Sequence, residues 1–350
     1  MSLFKKHFDA MSLYSPPLEG RDKGGRLLLD FNERTVPVGL AIEDAMVGYI
    51  RAGKMQMYPS YGDITERIAD YVGVDADKLM ITNGSDQGID LLFRAACSAG
   101  EEVIIPGPSF PMYIQAAQVE LAHIHSPDYT AEGGYPLQAV IDCVNDKTRV
   151  IVVSNPNNPS GTLLSEEGVI RLAEAAPDAV ILVDECYYEY CGLSVVGLID
   201  RFTNIVVVRT FSKTWGLPSL RIGYAVAAPV HIETLLKVRG PYDINQLAVV
   251  AVAAALDNQE SIHSYIREVM ELSKPKLETF LNQENVFFWP SVANFLWVFF
   301  DDAEAVELAL RTEDILVRPK SDANGRLGLR ITLGTEAQVD RLIGVLAKAL

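Results

Sequence analysis

Ser212-Lys213-Thr214 and Arg221-Ile222-Gly223 hold the densest potential chemistry in the chain. A β-branched run at residues 205–208 leads into them and reads as a buried parallel strand. A lysine just past such a strand loses part of its hydration. That lowers its pKa and frees a neutral amine for attack on a carbonyl. Arg221 offers a planar cationic fork for a phosphate. Thr210 and Ser212 add hydroxyls beside it. An amine next to a phosphate site points to an aldehyde cofactor that carries a phosphate. Taken alone, the stretch fits a surface lysine and a structural salt bridge equally well.

Other stretches decide the matter. Gly84-Ser85-Asp86 follows one short strand and opens a helix. Its free N–H groups and the Ser85 hydroxyl suit a phosphate, and a simple N-cap is the plainer alternative. Residues 155–161, Asn-Pro-Asn-Asn-Pro-Ser-Gly, are dense in turn formers. An asparagine amide there can donate to a phenolate or carboxylate oxygen, or serve its own turn. Asp184 ends the apolar run 180–183. A carboxylate at the edge of a core needs a partner, and a protonated pyridine nitrogen is a suitable one. Tyr187 follows and can donate to a ring oxygen; a helix cap or ion pair is the alternative for Asp184. Arg330 lies among strand-like apolar residues. Burying it without an anion is costly, and a substrate carboxylate or a structural acid would satisfy it.

These residues need elements that hold them. Strands are predicted at 79–82, 102–106, 119–126, 150–154, 180–183, 205–209 and 224–227, with helices at 87–96, 111–118, 137–143 and 166–175. Strands spaced by helices imply a mainly parallel α/β sheet flanked by helices. Ahead of them come a helix at 40–52 and one that Asp63 and Glu66 start in a capping-box pattern. Beyond residue 245 the pattern changes. Helices at 247–256, 261–280, 303–310 and 336–346 mix with strands at 287–289, 295–300, 316–318 and 327–331. The expected division is an N-terminal arm at 1–35, a large domain at 36–245 and a small α+β domain at 246–350.

The 350 residues include 46 acidic and 30 basic ones, for a net charge of −16. That balance argues against nucleic acid or an anionic membrane as partner. The apolar run 247–256 is too short to span a bilayer, and the N-terminus lacks a signal-peptide pattern. Cys97, Cys143, Cys186 and Cys191 form no CxxC pair, which fits free thiols in a cytoplasm. His123 and His125 alternate, but nothing nearby completes a metal site, so no metal is expected. No GxGxxG follows a strand, which weighs against a nicotinamide enzyme, and no DNA-binding segment marks a regulator.

In order and spacing, these pieces resemble the class I/II aminotransferases of the pyridoxal-phosphate fold-type-I superfamily, and within it most resemble the histidinol-phosphate aminotransferases. The resemblance spans nearly the whole chain and is weakest over the first 30 residues. It implies fold-type-I architecture and pyridoxal 5′-phosphate as cofactor. Lys213 would form the Schiff base and shuttle the proton. Asp184 would pair with the pyridine nitrogen, and Asn158 and Tyr187 would contact the ring oxygen. Gly84, Ser85, Asp86 (through its N–H), Thr210, Ser212 and Arg221 would surround the phosphate, and Phe110 would stack on the ring. Tyr58 would be lent by the second subunit of a homodimer. Arg330 would hold the α-carboxylate of the substrate, Asn158 would also contact it, and Arg318 and Tyr14 would reach a distal phosphate. The implied substrates are histidinol phosphate and 2-oxoglutarate. An aromatic-amino-acid aminotransferase or a phospho-amino-acid decarboxylase is the alternative. Arg34-Thr35-Val36, Gln87 and Pro218 depart from the family pattern.

Overall fold

The computed structural model describes residues 3–21 and 24–350; residues 1, 2, 22 and 23 of the expected arm lie outside the described residues. The strands in chain order are β1 Leu27–Leu28, β2 Leu79–Thr82, β3 Glu102–Ile104, β4 His123–His125, β5 Thr148–Ser154, β6 Val180–Asp184 and β7 Ile205–Thr210. They continue with β8 Gly223–Ala227, β9 Phe287–Trp289, β10 Phe295–Phe299, β11 Ile315–Leu316, β12 Arg318–Ser321 and β13 Leu327–Thr332.

Seven strands form one sheet in the order β2-β8-β7-β6-β5-β3-β4. All neighbours from β7 to β4 run parallel, while β8 is antiparallel to both β7 and β2. Its central strands are apolar on both faces because helices cover both. One face packs Ile151, Val153, Ile181, Val183 and Val207 into the larger core. The other packs Val150, Val152, Leu182, Val206 and Val208 against the helix Gly84–Ala96. Parallel order brings the carboxyl ends of β5, β6 and β7 to one edge, where Ser154 pairs with Asp184 and Thr210 lies two residues beyond Val208, the partner of Asp184.

A second sheet has the order β12-β13-β10-β9, all antiparallel. Its apolar face packs against the helices Ala303–Thr312 and Glu336–Ala349. Thr335 and Gln338 close a full capping box on the latter. Near the start of the chain, β1 pairs parallel with β11, and Leu27 and Leu29 join this second core.

Several predicted elements come out differently. The strand expected at 119–126 shrinks to β4, because the helix Pro111–Val119 runs on and Leu121 turns left-handed at φ 59°. The strand expected at 316–318 breaks at Val317, with β11 pairing one way and β12 the other. Asp63 makes no side-chain cap: its ψ of 14° departs from the extended backbone that capping needs. The long helix at 261–280 contains a π-helical turn at Glu268–Ser273. Pro275, in the turn that follows, has no N–H for a preceding carbonyl, and a widened turn absorbs the loss. The helix Pro229–Val238 is not among the predicted elements, although Pro229 in its first turn and Ile232 and Leu235 at helical spacing mark it.

Candidate active site

Asp184 is the last residue of β6 and is buried. One carboxylate oxygen accepts the Tyr113 hydroxyl at 2.6 Å and the other accepts the Cys186 N–H at 3.0 Å. Among the described residues no side-chain cation pairs with it. Burial, the largest influence, raises its pKa. A carboxylate so placed is stabilised by any cation that enters beside it.

Lys213 lies in the tight connection from β7 to β8. Thr214 and Trp215 anchor that connection by donating to Glu189 at 3.2 and 2.8 Å. The lysine Nζ donates to the Phe31 carbonyl at 2.8 Å and stands 5.9 Å from the centre of the Tyr187 ring. Desolvation first, and Arg330 second, hold this amine below the ordinary lysine value.

At one end of the cavity a helix N-terminus, hydroxyls and an arginine converge. The helix Gly84–Ala96 starts at Gly84 with φ 72°, and a Cβ there would meet Arg221 Nη2 at 2.6 Å. Strand β8 comes just as close: a Cβ on Gly223 would lie 2.8 Å from the Ser85 nitrogen. Glycine at both points lets Arg221 and the helix N-terminus converge. Arg221 also donates to Asp86 at 2.8 Å, and the Thr210 hydroxyl donates to Ser212 at 2.9 Å. Gln87, one departure from the family pattern, accepts the Asn83 N–H at 2.7 Å and donates to Asp243 at 2.8 Å.

The opposite end is formed by β12, β13 and the segment at 30–33. Arg330 is buried; it donates to Asn158 Oδ1 at 2.5 Å and to the Asp30 carbonyl, while its Nε has no partner. Desolvation pulls its pKa down to about 10. Asn32 donates to the Tyr187 hydroxyl at 3.0 Å. Arg318 lies 5.3 Å from the centre of the Phe31 ring.

One cavity is lined by Tyr14, Ser85, Asp86, Phe110, Asn158, Asp184, Tyr187, Thr210, Ser212, Lys213, Arg221, Arg318 and Arg330. Two of the residues singled out from the sequence are not on its wall. Gly84 contributes the positive-φ turn that starts the helix rather than a lining side chain. Tyr58 is 77 % exposed and stacks on Tyr242 with ring centres 4.6 Å apart. The wall also holds Phe31, Pro111, Tyr113, Ser154, Cys186 and Lys320, which sequence reasoning did not select. Cys186 could have been found, since it lies between Asp184 and Tyr187. Tyr113 follows Phe110 at helical spacing, but its partner Asp184 is distant in sequence.

Residues 28–346 match the family aminotransferase class I and II. The chain belongs to this family. This aminotransferase is 32 % identical over 330 residues to a histidinol-phosphate aminotransferase of Geobacillus sp. (strain WCH70), covering 91 % of this chain and 88 % of the relative. It is 33 % identical over 350 residues to one from Lysinibacillus sphaericus (strain C3-41), covering 96 % and 94 %. A solved histidinol-phosphate aminotransferase from Sinorhizobium meliloti, in complex with pyridoxal-5′-phosphate, superposes with a TM-score of 0.89 at 22 % identity, covering 100 % and 98 %. The expectation of a pyridoxal-phosphate aminotransferase of fold type I therefore holds.

Proposed function

We propose that this aminotransferase moves an amino group from histidinol phosphate to 2-oxoglutarate, using pyridoxal 5′-phosphate. One observation carries the reading: a desolvated lysine and a carboxylate with no cation of its own share a cavity with Arg221, paired to Asp86, at one end and Arg318, Lys320 and Arg330 at the other. The residues fit the cofactor. Arg221, Ser212, Thr210, Ser85 and the N–H groups at Gly84 and Asp86 suit its phosphate. Asp184, backed by Tyr113, suits a protonated ring nitrogen. Tyr187, oriented by Asn32, and the free amide of Asn158 suit the ring oxygen, and Phe110 covers a ring face.

Bound pyridoxal phosphate supplies an aldehyde to take up the amino group and a conjugated ring to draw electrons from the adjacent carbon. Lys213 does the proton work. Desolvation favours its neutral amine, and Nζ would take the proton from the donor carbon and later return one to the substrate or cofactor carbon. The Phe31 carbonyl and the Glu189-anchored loop hold that amine in line. Arg330 and Arg318 bind the anionic tail of donor and acceptor alike, and Tyr14 closes the same end.

The same proposal includes a homodimer in which the partner's tyrosine equivalent to Tyr58 completes the phosphate site. Exposed Met55, Met57, Tyr58 and Tyr242 support it as a surface suited to burial. It also includes a cytoplasmic location, supported by free thiols at Cys97, Cys143, Cys186 and Cys191.

The test is spectroscopic. Protein loaded with pyridoxal phosphate is expected to absorb in the visible, and Lys213→Ala to lose that band. Histidinol phosphate should bleach it rapidly, and 2-oxoglutarate should restore it with formation of glutamate. Bleaching by phenylalanine alone, or carbon dioxide release from a phospho-amino acid, would overturn the substrate assignment.

A further inference from the structure

Arg318 and Lys320 alternate on β12, so both side chains leave the same face of the small sheet. Arg318 stands directly across from Arg330 in the β12–β13 register. The intervening pair, Pro319 and Leu329, belongs to the opposite face, and Leu329 is packed in the second core. Three cations thus share one face and one end of the cavity. Like charges placed opposite each other across strands repel.

Asp30 acts on Arg330 only at a distance and is outweighed by burial. Among the described residues neither Arg318 nor Lys320 has a carboxylate within ion-pair distance, and Arg330 has only amide oxygens. The nearby acids are taken: Arg21 bridges Asp30 at 3.0 Å and also Glu33. This occurs in a chain with 46 acidic and 30 basic residues, where acids are not scarce. Desolvation, then Arg330, then Arg318 pull the Lys320 amine down to about 8. The Trp297 indole donates to the Lys320 carbonyl at 3.3 Å and fixes that point of the strand. Clustering unpaired cations at a cavity wall is unfavourable until an anion arrives.

We propose that Lys320 is a specificity-determining residue: with Arg318 and Arg330 it makes the cavity favour substrates whose tail is a dianionic phosphate monoester over those with an uncharged tail. Arg318 and Arg330 present planar forks, whereas Lys320 adds a compact, rotatable charge suited to a third oxygen of a tetrahedral group. The inference rests on the histidinol-phosphate reading and deepens it. The competing role is a lysine that only guards an exposed edge strand, since β12 ends the small sheet. Such a lysine would be indifferent to what the substrate carries.

The experiment compares wild type, Lys320→Met and Lys320→Arg, each loaded with pyridoxal phosphate. Turnover of histidinol phosphate is measured beside that of histidinol, and inorganic phosphate binding is measured by titration calorimetry. Lys320→Met is expected to lose about tenfold in kcat/KM for histidinol phosphate, chiefly through KM, with less than a twofold change for histidinol. Phosphate affinity should fall in parallel, and Lys320→Arg should recover most of both. Equal losses on the two donors, or no loss on either, would overturn the assignment. If wild type does not turn over histidinol phosphate, the substrate reading fails by itself. Phosphate affinity then decides the residue: unchanged binding in Lys320→Met refutes it, and weakened binding rescued by Lys320→Arg upholds its anion-reading role.

Discussion

Glu189 carries the loop that holds Lys213, because its carboxylate accepts both the Trp215 indole and the Thr214 hydroxyl. Burial is the dominant influence on it and pushes its pKa up to about 7, against the opposing pull of Trp215 and Arg209. In the unfolded chain the group titrates near 4.5. The folded state therefore holds the proton more tightly, and the fold loses stability as pH rises between those two values. Above pH 7 the loss is complete. At 1.36 kcal/mol per pKa unit it amounts to about 3 kcal/mol at pH 8. Glu189→Gln keeps an oxygen for the indole and has no charge to desolvate. It is expected to be more stable than wild type by up to about 3 kcal/mol at pH 8 and by less than about 1 kcal/mol at pH 5. For a chain of this size the pH 8 gain is roughly 4 °C in Tm. Thermal unfolding of the two proteins at both pH values checks it. A Gln variant that melts below wild type at pH 8, or a gap that does not change with pH, would refute the reasoning.

Gly84→Ala introduces a side chain at φ 72° and pushes Arg221 Nη2 from a point 2.6 Å away. It should cost about 1–3 kcal/mol of local strain and weaken pyridoxal phosphate retention by roughly 10- to 100-fold in equilibrium dialysis; unchanged retention would refute a phosphate cradle at Gly84. Mixing Lys213→Ala with Tyr58→Ala subunits should regenerate activity, since a hybrid dimer holds one site with an intact Lys213 and a partner tyrosine. Each variant alone should have far less than wild-type activity, and a mixture no better than the sum of its parts would refute a shared site.

The sheet was legible because its strands are β-branched runs buried on both faces, and Val180–Asp184 and Ile205–Thr210 stand out in any window. The site residues were legible where chemistry and turn formers cluster, as around Asp184 and Lys213. What stayed hidden depends on contacts between remote segments. Tyr113 is a core-like aromatic in sequence and gains its role only from Asp184 above it. Asn32 and Phe31 reach Tyr187 and Lys213 from the start of the chain. Lys320 resembles a surface lysine until β12 is placed beside β13. The Asp63 cap failed for a local reason, a backbone angle that its residue type does not dictate.

The segment at 30–33 ties Arg330 to the Asp30 carbonyl across 300 positions of sequence. This imposes an order on biosynthesis. Apart from the tyrosine proposed to come from a partner, the groups suited to the cofactor lie between Gly84 and Arg221 and are made well before β13. The anion-binding wall forms only when the final strands emerge and close onto a segment translated at the outset. The substrate end of the cavity is thus the last part of the site to be completed, closed by strands made late against a segment made first.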